Sequence, residues 1–397
     1  MNPIFRLDPA RSPPYKGARL AETLVPASRP VALGSRKATK TGESRTPHQP
    51  IGAIFVERVT AALVTAALMT AFPAFAAEYP PQAAGTLVMA FDLSAQPKDA
   101  TDLWVPYPVS DTRQLVTAVR VVGDQTSAEV VTDRTYSTPM LHAHWPAAAQ
   151  SRALTLSFSV ERSEISQRDL PPMDAPDVAW DPADYRLWLR PTTFGPTDGL
   201  TKQTADEIIR GKTTVLQKAR AIYEWTARNT YRDPETRGCG AGDVCALLMR
   251  PGGKCADIHS VFVALARAAG VPAREVFGIR LGREDGQDVS TWQHCWAEFY
   301  LPGYGWVVVD PGDVRKMMLG RKLTPEDEVP ADLLDYYWGG ADPYRVKLAV
   351  GRDLTLNPPQ QGGPVNYLMY PFAQVGETTL DWLDPKGFSY SVTYKAP

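Results

Sequence analysis

The stretch Gly252-Gly-Lys-Cys255-Ala-Asp257-Ile-His259-Ser-Val-Phe-Val-Ala-Leu-Ala-Arg267-Ala-Ala-Gly270 decides how this chain is read. From Ile258 onward the apolar residues fall at Ile258, Val261, Phe262, Leu265, Ala266 and Ala269, in steps of three and four. That spacing predicts a helix with one face buried against a core. Gly270, with Pro272 beyond it, supplies the stop signal. Gly252 and Gly253 lead into the helix, so Cys255 is expected in its first turn. Unpaired backbone N–H groups and the positive end of the helix dipole favour a thiolate there. Cys255 is therefore a candidate nucleophile, and on this stretch alone a small buried hydrophobe fits equally well.

The chain of 397 residues is long enough for two or three domains. Its 36 prolines suit a loop-rich, β-containing protein better than an all-helical one. A formal charge of −2 gives no reason to expect a nucleic-acid partner. The charge is unevenly spread: residues 1–50 hold nine Lys/Arg against three acids, and everything from residue 77 onward is mildly acidic.

Val59 to Ala76 is a short apolar run behind Arg58 that ends Pro73-Ala74-Phe75-Ala76-Ala77-Glu78. The small residues at Ala74 and Ala76 match a signal-peptidase site, so cleavage after Ala76 is expected, with export, to the periplasm in a two-membrane cell. An uncleaved anchor is the competing reading, and it would be this chain's sole contact with a membrane. Residues 1–50 show no apolar periodicity and read as a disordered prefix. A signal peptide normally begins a chain, so the true start is expected near residue 51.

Residues 80–195 read as short strands separated by Pro, Gly or Asp: Thr86–Leu93, Asp102–Tyr107, Leu115–Val122 and Arg152–Val160. The last is the cleanest, with Leu154, Leu156, Phe158 and Val160 on one face. Together they predict an antiparallel β-sandwich, followed by a proline-rich linker around Pro171–Pro182. His142 and His144 form a His-x-His pair with no acid or cysteine close in sequence, and a plain strand position is expected for both.

From about 196 to 345 the period becomes helical and then alternating. Thr213–Asn229 predicts a helix, and Arg274–Leu281, Thr291–Leu301 and Trp306–Asp310 predict strands. Leu301-Pro302-Gly303-Tyr304-Gly305 suits a hairpin loop. Alternation then puts Trp292, His294, Trp296 and Glu298 on one face. With the turn near 302–303, paired numbers sum to 604–606, which sets His294 opposite Asp310. A thiol, an imidazole and a carboxylate that orients it are what thiol-based acyl transfer requires.

These residues carry a resemblance. Gly253-Lys-Cys255-Ala-Asp257, Leu265 to Arg274, His294-Cys-Trp-Ala-Glu298, Gly305-Trp306 and Val309-Asp310-Pro311 resemble the bacterial transglutaminase-like superfamily, over about 210–312. The resemblance implies an α+β fold with a papain-like core over 196–345, and the β-sandwich of 80–195 is similar to the domain preceding the core in exported members. It implies Cys255 as nucleophile, His294 as general base and acid, and Asp310 as orienting carboxylate. Members include cross-linking transglutaminases, peptidases, amidases and deamidases. For the oxyanion or the cleft, the resemblance makes candidates of Trp225 and Tyr231, beside the backbone N–H of Cys255. Trp292 is a candidate cleft wall.

Of the other cysteines, Cys295 is expected to point away from the face of His294 and be buried, while Cys239 and Cys245 are close enough for a small disulfide, with Cys295 the alternative partner. His259, one turn after Cys255, could join Cys239 and Cys245 on zinc, but C-x5-C is not a common zinc spacing. No metal or cofactor is therefore expected. Residues 346–397 return to period two, with strands at Arg345–Val350, Tyr367–Tyr370 and Phe388–Tyr394 extending the core sheet or packing on the β-domain. Gly312–Gly340 is a candidate cleft wall. The whole predicts an exported thiol enzyme acting on peptide or isopeptide amides of cell-envelope peptides or proteins, by hydrolysis or transamidation. The alternative is a catalytically silent binding or scaffold protein of the same fold.

Overall fold

The alternation of Arg152–Val160 becomes the strand Ala153–Ser163, in which Leu154, Leu156, Phe158 and Val160 are each at most 1% exposed. The computed structural model describes residues 79–397. The prefix 1–50, the apolar run and the cleavage site after Ala76 lie outside the described residues. Ala153–Ser163 pairs with Gln82–Asp92 and Gln114–Gly123 in a five-stranded antiparallel sheet completed by Ser389–Lys395 and Gln287–Asp288. A second five-stranded sheet runs in the order Thr378–Thr379, Phe372–Val375, Thr101–Pro106, Pro139–Trp145, Ser127–Thr132. The inner faces of both meet in one apolar cluster that includes Leu87, Phe91, Leu103, Leu141, Trp145 and Phe158.

The two sheets take strands from both sides of the 195/196 and 345/346 boundaries. Ser389–Lys395 lies against Gln82–Asp92, and Phe372–Val375 against Thr101–Pro106. Tyr367–Tyr370, expected as a strand, is irregular. There the Tyr367 ring stacks on Phe277 and Tyr370 on Trp382, so packing between aromatic rings decides the backbone in place of a ladder.

His142 and His144 do lie on a strand, but an acid stands beside them. Asp102 on the adjacent strand takes hydrogen bonds from both rings through one oxygen, at 2.8 and 2.9 Å. Reading along the chain missed a neighbour that pairing supplies across it.

The helical region builds on Cys255–Ala268, all of whose residues are buried. It packs against the helices Gly199–Ile208 and Val215–Asn229 on one side and the four-stranded sheet on the other. That sheet has the order Gly305–Val309, Gln293–Leu301, Ala273–Arg280, Arg345–Val350. A helix apolar on nearly every side has to sit between layers. Its C-terminus closes as a Schellman turn: Gly270 (φ +78°) and Val271 donate to the carbonyls of Arg267 and Ala266. Thr214 caps Val215–Asn229 by accepting from the Gln217 amide. No helix among the described residues is long and apolar enough to cross a membrane.

Phe158 has no exposed surface, whereas Val122 is 68% exposed on the outer face of the same sheet. In urea denaturation Phe158→Ala should cost ~3–5 kcal/mol and Val122→Ala less than about 0.5 kcal/mol. Equal costs would mean that the sandwich core is assigned to the wrong face.

Candidate active site

Cys255 opens its helix as the first residue after the N-cap, Lys254. The geometry around it is held by Asp257, whose carboxylate accepts from the backbone N–H groups of Lys254 (3.0 Å) and Gly242 (2.8 Å). The loop carrying Cys239 thereby wraps the helix N-terminus, and the Ala256 amide donates to the Cys239 carbonyl at 3.0 Å. Gly240 permits this approach: its φ is +92° and a Cβ there would lie 1.8 Å from the Asp257 carboxylate.

Three sulfurs converge as a result. Cys239, Cys255 and Cys295 share one buried cluster, and Cys239, Cys255 and His294 line one cavity. Hydrogen bonds from Cys239 and Cys295, then the hydrogen bond and charge of His294, hold the Cys255 thiol well below its ordinary value against the opposing effect of burial. Cys239 is pushed well up, first by its hydrogen bond to Cys255, and Cys295 well up, first by burial, so both remain thiols and donors.

His294 donates from Nε2 to Asp310 at 2.8 Å, which leaves Nδ1 for the sulfur. The hairpin pairs Ala297 with Val309 and Leu301 with Gly305, so pair numbers sum to 606, and Asp310 is not directly opposite His294. The strand ends at Val309, and Asp310 caps the next helix, Pro311–Gly320, by accepting from the Asp313 amide. Released from the ladder, its carboxylate reaches back to the ring.

That carboxylate serves four donors. His259 Nε2 (3.0 Å) and the Asp313 amide (2.5 Å) donate to one oxygen, and His294 Nε2 and Arg345 Nη1 (2.5 Å) to the other. Burial alone would raise the Asp310 carboxyl, but the charges of Arg345, His294 and His259 hold it well below the usual carboxylate range. Arg345 also binds Asp313 and Asp342, and Arg280 binds the same two. Three buried carboxylates thus face two guanidinium groups, one negative charge in excess. His259 lies on this network too: burial pushes it down, but the charge and hydrogen bond of Asp310, with the charges of Cys255 and Asp313, together raise it.

Several residues are placed otherwise than their sequence suggests. Cys295 is buried, as expected, and its sulfur lies 3.4 Å from His259 Nδ1. All four cysteines are free; Cys245 is exposed on the helix Val244–Met249, turned from Cys239 by the cap at Asp243. His259 faces Asp310 and Cys295, which leaves no zinc set with Cys239 and Cys245. His294, Asp310 and Asp313 lie close enough to hold an ion, but Arg345 and Arg280 already occupy those carboxylates. Trp225 packs with the helical core, the Tyr231 ring covers Gly252, and Trp292 packs toward the sandwich. None of the three lines the Cys255 cavity. Tyr337 and Trp338 of the Gly312–Gly340 connection are buried in the core, and that connection gives the cavity only Lys316.

The cavity, of about 390 Å³, is bounded by Cys255, Cys239, His294 and Gln293, by Arg232, Lys254 and Lys316, and by Tyr370, Trp382 and Phe388. Sequence reading missed Arg345, Arg280, Asp313, Asp342 and the second imidazole. Only His259, at i+4 from Cys255, and Asp313, at i+3 from Asp310, carried any local signal.

Residues 202–311 match a family model described as the transglutaminase-like superfamily. An uncharacterized protein of Haemophilus influenzae is 38% identical over 317 residues, covering 74% of this chain and 86% of that protein. A candidate cysteine protease from Cytophaga hutchinsonii superposes over 79% of this chain and 99% of its own, at 18% identity and a TM-score of 0.45. The periplasmic domain of TgpA from Pseudomonas aeruginosa, in its ethylmercury-bound structure, superposes over 58% of this chain and 90% of its own, at 18% identity and a TM-score of 0.29.

Arg345→Met leaves three buried carboxylates facing Arg280 alone and should cost ~3–5 kcal/mol near pH 7. Asp310 and Asp342 both have depressed folded-state values. Their contribution to wild-type stability is therefore present above the unfolded value of about 3.9 and is lost as pH falls through the depressed values. The deficit of the variant should shrink below about pH 4 in urea titrations. A deficit independent of pH would contradict an electrostatic role.

Proposed function

This chain belongs to the transglutaminase-like superfamily, and from that premise we propose that it is a thiol-dependent acyl-transfer enzyme acting on peptide or isopeptide amides. Cys255 is the nucleophile, His294 its base and acid, and Asp310 the carboxylate that fixes the ring. The observation that carries this reading is the placement of Cys255 in the first turn of a buried helix, in one cavity with a histidine whose Nε2 donates to Asp310 at 2.8 Å.

In this mechanism His294 accepts the thiol proton at Nδ1 while Nε2–H stays bonded to Asp310. The sulfur attacks the carbonyl carbon, and an S–C bond forms as the carbonyl π electrons move to oxygen. The resulting oxyanion is met by the Cys255 backbone N–H. The imidazolium then protonates the departing amine as the C–N bond breaks, leaving a thioester. Water or a second amine, deprotonated by His294, attacks that thioester and releases the thiol. Water gives hydrolysis and an amine gives transamidation. The leader ending at Ala76 supports export, which makes envelope peptides and proteins the proposed substrates.

Cys255→Ala should lower amide turnover by more than about a thousandfold and abolish the acyl-enzyme adduct seen by mass spectrometry. Cys245→Ser, on an exposed position outside the cavity, should stay within about twofold of wild type. Turnover that survives Cys255→Ala would remove the proposal.

A further inference from the structure

The lining of the cavity at Cys255 is of two chemical kinds. Arg232, which pairs with Gly253 beside Lys254, and Lys316, on the helix packed against the Tyr231–Arg232 strand, form with Lys254 a cationic group, and none of the three forms an ion pair among the described residues. Arg237, which also lines the cavity, is held by Asp381 at 2.6 Å. No carboxylate lines the cavity. The acids of the adjoining pocket, Asp313 and Asp342, are both taken by Arg280 and Arg345. The other group is aromatic, Tyr370, Trp382 and Phe388, and is fixed by ring contacts of Trp382 with Tyr370 and Phe372.

Unpartnered cations around a concave site raise the local concentration of anions and weaken binding of cations. Side chains that only needed to be solvated would not have to line the nucleophile's cavity together. Resting on the acyl-transfer reading above, we propose that the acyl donor is an acidic peptide, with a carboxylate beside the scissile amide held by Arg232, Lys254 and Lys316 and an apolar group against Tyr370, Trp382 and Phe388. That carboxylate is a side chain or a chain terminus, since the chemistry recognised is the same.

Two alkylating agents test the charge of the wall without requiring turnover. Iodoacetate and iodoacetamide are nearly equal in size and differ in bearing a carboxylate or an amide. In both, the Cys255 sulfur attacks the methylene carbon, the S–C bond forms and iodide leaves. The ratio of the two rates at Cys255, read by peptide mass spectrometry, cancels the thiolate fraction. Relative to the ratio for a neutral model thiol, N-acetylcysteine amide, it should be roughly tenfold higher. It should fall toward the model value in Arg232→Gln/Lys316→Gln and in about 0.5 M salt.

Peptide donors then separate the two sources of carboxylate. One has Glu beside the scissile amide and an amidated terminus, one has Gln there and a free terminus, and one is neutral throughout. The proposal expects at least one acidic donor to acylate Cys255 faster than the neutral one, with a KM that rises in the double variant. A wild-type alkylation ratio equal to the model thiol's, or one unmoved by the double variant, overturns the cationic wall whatever the activity. A raised ratio with acylation by no peptide retains the wall and removes the acyl-transfer reading. A raised ratio with faster acylation by the neutral donor overturns the substrate class.

Discussion

The site depends on one buried carboxylate. Asp310 is wholly inaccessible, yet it accepts from two imidazoles, a guanidinium and a backbone amide. A buried charge is tolerable only when its lone pairs are filled and its field is compensated. Asp310 meets both conditions because three separate parts of the chain converge on it. These are the helix of Cys255 through His259, the hairpin through His294, and the strand Arg345–Val350 through Arg345.

Each element can be seen as fixing one coordinate of that arrangement. The Cys255–Ala268 helix is buried on every side, so Cys255 and His259 have no freedom to shift along it. Loss of strand pairing after Val309 lets Asp310 turn inward as a helix cap. Arg345 arrives on the fourth strand of the core sheet and also ties down Asp313 and Asp342. The surplus negative charge of this network is what a protonated imidazole neutralises, so the same interactions that secure the fold stabilise a thiolate–imidazolium pair.

The helix, the hairpin and the pairing of a cysteine with a histidine and an aspartate were legible because their signals are local. Periodicity marks the helix, a Pro-Gly turn marks the hairpin, and alternation brings His294 near the turn's far side. The register was legible to within two residues; the end of the ladder at Val309 was not, because a cap competes there with a strand. Arg345, Arg280 and Asp342 left no trace in the sequence, since an arginine on a strand reads the same whether it faces solvent or a buried acid. The strand position of His142 and His144 was legible, but their partner Asp102 was hidden in the same way, being forty residues distant from His142 and adjacent only through pairing. The aromatic residues Trp225, Tyr231 and Trp292 fit a core as well as a cleft, and composition alone could not separate the two.

The account rests on a Cys255 thiolate sustained by His294 and Asp310. The most direct measurement is the pH dependence of Cys255 alkylation by iodoacetamide, followed by mass spectrometry in wild type and in Asp310→Asn. The account predicts a wild-type inflection well below the value of about 8.5 for a free cysteine and an upward displacement in the variant. A wild-type inflection at the free-cysteine value, or identical profiles for the two proteins, would contradict it.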